Sequence, residues 1–71
     1  MIHVIKVGEM YVSDYDGEVF GASDKEFIAS LDYIRLSPNI SDAKVVARYD
    51  NAKSIANSCN GEVMLFDEVL N

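Results

Sequence analysis

Few side chains in this 71-residue chain belong to types that carry reaction chemistry, and their spacing decides what each could do. The single histidine, His3, sits in an apolar run, IHVIKV. A histidine acting as general base needs a partner that orients its ring. None is evident, so an ordinary strand residue is expected. The single cysteine, Cys59, falls on an apolar helical stripe. A nucleophilic thiol needs nearby positive charge and some exposure, whereas a buried one behaves as a small hydrophobe, and the second role is expected. Asp14, Asp16 and Glu18 alternate around Gly17 in DYDGE, as at the start of a calcium loop. Such a loop needs a glutamate at its twelfth position, and counting from Asp14 that position is Lys25. A solvated turn is expected instead. No phosphate-cradling glycine loop, metal-spaced Cys/His cluster or Ser-His-Asp set is present. The residues nominate no catalytic group, metal ligand or cofactor, and a non-enzymatic protein is the expectation.

The set with most to say is aromatic and acidic. Tyr11, Tyr15 and Phe20 are interleaved with Glu9, Asp14, Asp16, Glu18 and Asp24. Exposed tyrosine suits an interface because it offers a large contact area with a polar tip. Strict alternation puts Tyr11, Ser13 and Tyr15 on one side and Met10, Val12 and Asp14 on the other. The competing reading is that these rings cover the open face of the sheet. Charge singles out the same region. Net charge is −6 and the pI about 4.4. From Glu9 to Asp32 there are seven acids against one base, Lys25, so this segment alone carries −6. Such a chain is not expected to bind nucleic acid through a phosphate-neutralising surface. A protein partner with a basic surface fits it, contacted through Glu9, Tyr11, Asp14, Tyr15, Asp16, Glu18 and Asp24.

These residues must be positioned by a small fold. A chain of this length holds one domain, residues 1–71, and buries only about 60% of its unfolded surface. An oligomer interface would add buried area, so a homodimer is compatible with this size. With 49% hydrophobic and 25% charged residues the chain has a globular composition. One cysteine forms no internal disulfide. The opening MIHVIKVGEMYV has no signal-peptide pattern, and no apolar run approaches 18 residues. A cytoplasmic protein without a membrane span is expected.

Ile2–Val7 and Met10–Tyr15 read as strands of a tight hairpin around Gly8-Glu9. Asp16-Gly17 signals a second turn, after which Glu18–Phe20 could extend the meander as a short strand. Phe27–Leu36 is rich in β-formers and predicts a strand. The alternative is a helix begun by a Ser23/Glu26 capping box and carrying Phe27, Leu31 and Ile34. Pro38 ends that element. Ala43–Tyr49 has a β core at Val45-Val46. The clearest element is a helix over Asp50–Asn60. Asp50 is placed to cap it and Gly61 to end it in the left-handed region. Ala52, Ile55, Ala56 and Cys59 form its apolar stripe, while Asn51, Lys53, Ser54, Asn57 and Ser58 cover the other sides. The run EVMLFDEVL returns as a strand. The fold class is α+β, a small antiparallel sheet of 4–5 strands with one main helix packed on one face.

The last third of the chain carries a resemblance. Ala43-Lys44-Val45-Val46, the acidic Asp50, Ala52-Lys53-x-Ile55-Ala56 and Gly61-Glu62-Val63 follow one another with a glycine turn before the final strand. With the opening hairpin, this order resembles small open reading frames of bacteriophages infecting Gram-positive bacteria, most of which have no assigned activity. The resemblance implies a phage or prophage origin and an α+β fold, and it transfers no catalytic residue. With the acidic segment, it yields the expectation of a phage-type inhibitor or modulator of a host protein. The target class would be defence or nucleic-acid processing, such as the groove of a CRISPR effector. Two alternatives stand beside it. One is a homo-oligomer binding a small anionic ligand through Arg35, Lys44, Arg48 or Lys53, and the other a structural accessory protein.

Overall fold

The computed structural model of the chain describes residues 2–20 and 28–67. Over these residues the fold is a four-stranded antiparallel sheet with one helix packed against it. The strands are β1 (His3–Val7), β2 (Met10–Phe20), β3 (Ile28–Ser37) and β4 (Glu62–Leu65), in the spatial order β3-β2-β1-β4. The helix, α1 (Tyr49–Cys59), follows a short 3-10 turn at Ile40–Asp42. The chain leaves β3 at one edge and re-enters as β4 at the other, so the helix is the crossover between the edges.

The first hairpin forms as the sequence predicts, with Val7 opposite Met10 and the two-residue loop Gly8-Glu9. Gly8 has a φ of +62°, which glycine adopts at no steric cost. The expected turn at Asp16-Gly17 does not form. β2 runs through it as one strand of 11 residues, absorbing Glu18–Phe20. The register against β3 slips between Asp16 and Gly17, leaving Asp32 without an opposite residue. Gly17 takes a φ of +135°, and a Cβ there would collide with Ser30 O and Leu31 Cα. The glycine therefore marks a bulge where two backbones approach, not a chain reversal.

A strand is observed over Ile28–Ser37, close to the predicted Phe27–Leu36. Leu31 and Ile34 lie in that strand, not in a helix. Ser23, Glu26 and Phe27 fall outside the described residues. The expected strand at Ala43–Tyr49 is reduced to a single bridge between Val46 and His3, and Val45 is exposed. The reason is a fork in the sheet. β1 pairs with β2 only at Lys6–Tyr11 and Val7–Met10. Beyond Val12 the register of β2 slips again, with Ser13 left over. Residues 44–46 fill the gap. Lys44 N–H donates to Val12 O at 2.9 Å, and Val46 exchanges backbone bonds with His3 at 2.8 and 2.9 Å.

The core lies between sheet and helix. Ile5, Val12, Ala52, Ile55 and Ala56 are fully buried together, with Val46 nearly so. The helical stripe read from the sequence thus faces the sheet, with Cys59 at its margin. Ser54 departs from the expectation, being fully buried. Its hydroxyl donates to Asp50 O at 2.9 Å, so burial leaves no unmet donor. Both predicted caps shift by one or two residues. Arg48 occupies the N-cap, and Asp50 sits in the first turn, where its charge suits the helix dipole and pairs with Arg48 at 3.3 Å. Asn60, not Gly61, takes the left-handed C-cap conformation, at φ 58° and ψ 35°. Gly61 is demanded by space, since a Cβ would lie 2.9 Å from Ile5 Cγ2 and 3.0 Å from Lys6 O. The final strand stops at Leu65, and Phe66-Asp67 turn away as helix.

Candidate interaction face

β2 carries the carboxylates. Opposite Asp14, Asp16 and Glu18 on β3 stand Arg35, Tyr33 and Ser30. The residues between them, Tyr15, Gly17 and Val19, alternate to the other side, where Tyr15 and Val19 pack against the core. All three carboxylates therefore share the face turned away from α1, spaced by about 6.6 Å along the strand. Asp16 and Glu18 are exposed and Asp14 is half-buried. On β1 the same face is closed, because Val4, next to the core residue Ile5, is fully buried. The open part of the face is the β2–β3 ribbon.

The slip at Ser13 changes the expected sides. Val12 and Tyr15 both contribute to the core side, although strict alternation separates them. Tyr15 is consequently half-buried, with Lys44 Nζ 4.4 Å from the centre of its ring. Tyr11 is half-buried as well, opposite Lys6 on β1 and Ser37 on β3. Glu9 is exposed in the β1–β2 turn, about 30 Å of strand away from Glu18. Asp24 lies outside the described residues. Of the residues expected to meet a partner, Asp14, Asp16 and Glu18 thus form one row, and Glu9 stands apart from it.

Sequence reasoning did not place Tyr33 or Lys44 at the centre of this face. Tyr33 Oη donates to Asp14 Oδ2 at 3.2 Å, and Lys44 Nζ lies 3.7 Å from Asp14 Oδ1. Arg35 lies 5.7 Å from the Tyr33 ring centre. The hydrogen bond to Asp14, then the charge of that carboxylate, raise the Tyr33 phenol above its usual range. Asp16 Oδ1 accepts from the Gly17 N–H at 3.0 Å. Asp14 is therefore held on two sides by neighbours, while Asp16 and Glu18 project their charge to solvent. The only signal available in the sequence was the sign of Lys44, whose Asp14 partner is 30 positions earlier.

The remaining chemical groups have structural partners. His3 is buried, its Nδ1 3.1 Å from Val46 O and its ring 5.8 Å from that of Tyr49, edge to face. Cys59 is half-buried and its Sγ donates to Ile55 O at 3.3 Å. Burial pushes the thiol up, with a backbone hydrogen bond at Gly61 acting the other way. Among the described residues no three His, Cys, Asp or Glu side chains gather as metal ligands, and no helix is long and apolar enough to cross a membrane. Of the four bases considered for an anionic ligand, Lys44 and Arg48 face carboxylates, Arg35 faces a ring and Lys53 is half-buried on α1. Comparison with protein-family models, curated proteins and solved structures found no significant match.

Proposed function

We propose that this chain is a non-enzymatic binding protein that engages a basic surface of a protein partner through the open face of its β2–β3 ribbon. One observation carries the reading. Asp14, Asp16 and Glu18 alternate with core-packing residues on β2, so their charge is concentrated on one face, away from the helix. Neighbouring carboxylates repel one another, and a partner's lysines and arginines would relieve that repulsion. Complementary charge of this kind raises association rates and makes binding depend on salt. The resemblance to phage reading frames supplies the context, a host protein with a basic groove, with defence or nucleic-acid processing as the target class.

The test is paired capture from a Gram-positive host lysate, eluted by rising salt and identified by mass spectrometry. The parent should retain a specific basic protein that the triple variant Asp14→Asn, Asp16→Asn, Glu18→Gln releases at much lower salt. Arg35→Ala and Arg48→Ala should retain it. If the triple variant holds its partner as well as the parent while either arginine variant loses it, the acidic face is not the binding surface.

A further inference from the structure

The acidic row of β2 borders an exposed apolar patch on the same face, and we propose that the two together receive a basic amphipathic helix of the partner. The inference rests on the acidic-face reading above and adds to it an apolar anchor and the secondary structure of the partner. It starts from the fork in the sheet. His3 and Val46 exchange both backbone bonds, so they stand directly opposite each other. One step along, Val45 falls opposite Val4. Val46 packs in the core, so alternation turns Val45 to the face away from α1, where it is 49% exposed. Ile2 immediately precedes β1, shares the side of Val4 and is 48% exposed. Met64, opposite Val4 on β4, is half-buried on that face as well. Val4 itself is fully buried, so the two exposed side chains flank a filled centre.

The patch and the acids are neighbours. Lys44 N–H donates to Val12 O at 2.9 Å, which runs residues 44–46 beside β2 and brings Val45 alongside Asp14. Asp14 is already held by Tyr33 and Lys44. Asp16 and Glu18 are exposed and have no ion-pair partner among the described residues. An apolar centre with a polar rim is the arrangement of a protein interface, and here the charge beside the centre has one sign.

Spacing decides what fits. Asp16 and Glu18 are about 6.6 Å apart along the strand. On a helix, residues i and i+4 are about 6 Å apart along the axis and share one side. A helix lying along β2 therefore sets lysines or arginines at i and i+4 against the two carboxylates. Its apolar stripe, turned toward β1, meets Val45 and Ile2. An added strand would need a free edge, whereas this face offers side chains. The core packing of α1 covers the opposite face of the sheet, so the partner's helix forms the second outer layer.

Two synthetic lysine-leucine peptides of equal composition test this by fluorescence anisotropy. In one, leucines recur at i, i+3, i+4 and i+7; in the other they are scattered around the helix. The parent should bind the striped peptide about tenfold more tightly or better. Val45→Ser and Ile2→Ser should each remove much of that preference and leave the salt dependence of binding as it was. Asp16→Asn with Glu18→Gln should do the converse, flattening the salt dependence and keeping the preference. Leu36→Ser should change neither, because Leu36 lies opposite the buried Val12 on the helix side. All of these positions are exposed, and unchanged circular dichroism would confirm that the variants fold. Equal binding of the two peptides, or a preference that survives Val45→Ser with Ile2→Ser, overturns the helix docking and leaves the acidic face standing. A salt dependence that the acidic double variant does not alter removes the acidic face, and this proposal with it. No binding of the striped peptide up to about millimolar concentration also overturns it.

Discussion

Tyr33 Oη donates to Asp14 Oδ2 at 3.2 Å, joining the two strands of the ribbon diagonally across the open face. The bond favours the neutral phenol, so the Tyr33 pKa lies above the usual 10.0. The sign of the linkage follows. A group whose folded pKa is raised adds stability that is fully present below pH 10.0 and is lost as pH climbs through the folded value. Asp14→Asn should bring the Tyr33 titration back toward the ordinary value. The ring resonances of Tyr33, followed by NMR from neutral to alkaline pH, give the measurement. Equal titration of Tyr33 in parent and variant would show that the contact does not persist in solution.

Ile55 is fully buried where α1 meets the sheet. Ile55→Ala should cost about 2–5 kcal/mol, as deletion of buried aliphatic groups does. In a domain this small that approaches the whole stability. Lys53→Ala, two residues earlier and only half-buried, is the control. Urea midpoints that move alike in the two variants would show that α1 is oriented differently.

Gly17 and Gly8 both have positive φ but should differ in tolerance. At Gly8 no atom lies within 4 Å of the position a methyl group would take, so Gly8→Ala should cost about 1 kcal/mol for the left-handed backbone alone. At Gly17 a methyl group meets Ser30 O and Leu31 Cα as well as the unfavourable φ. Gly17→Ala should therefore cost about 2 kcal/mol or more and loosen the ribbon. Thermal melts of the two variants decide it, with equal losses counting against a close approach at Gly17.

These positions also show how far the sequence could be read. The first hairpin and the helical stripe were legible because their signals are local, a glycine in a two-residue loop and apolar residues at i, i+3, i+4 and i+7. The alternation of Asp14, Asp16 and Glu18 was visible in the sequence, but read as a turn at Asp16-Gly17 it did not predict one row on a continuous strand. The sides of Tyr11 and Tyr15 were not, since an alternation pattern cannot announce the extra residue at Ser13. Asp16-Gly17 looks like a turn in one dimension, because glycine serves a close approach as well as a reversal. The contacts of Asp14 with Tyr33 and Lys44 depend on cross-strand register and on the chain filling the fork, neither of which a local window contains.

Cys59 should react slowly in the native protein. Its thiol is half-buried, bonded to Ile55 O and pushed up by burial, and the thiolate is the reactive species. Ellman's reagent at neutral pH should label it readily only after denaturant is added. Prompt stoichiometric labelling without denaturant would show an open thiol.

The three carboxylates of the face should separate when neutralised one at a time. Asp14 accepts from Tyr33 and lies beside Lys44, so Asp14→Asn trades a charge-assisted contact for a weaker one. The site is partly exposed, which limits the loss to about 1 kcal/mol or less. Asp16 and Glu18 differ, being exposed and facing each other's charge along the strand. Asp16→Asn keeps an oxygen for the Gly17 N–H, the one bond its side chain makes among the described residues. Asp16→Asn with Glu18→Gln should therefore leave the fold intact and raise stability by roughly a few tenths of a kcal/mol at low ionic strength. The gain should fade at about 1 M salt, where the screening length is roughly 3 Å, well below the spacing of the carboxylates. Urea unfolding of the parent, Asp14→Asn and the double variant at low and high salt makes the comparison. A double variant less stable than the parent at low salt would mean that Asp16 or Glu18 holds the fold together, and a row of carboxylates with structural partners would be poorly suited to meet a basic surface.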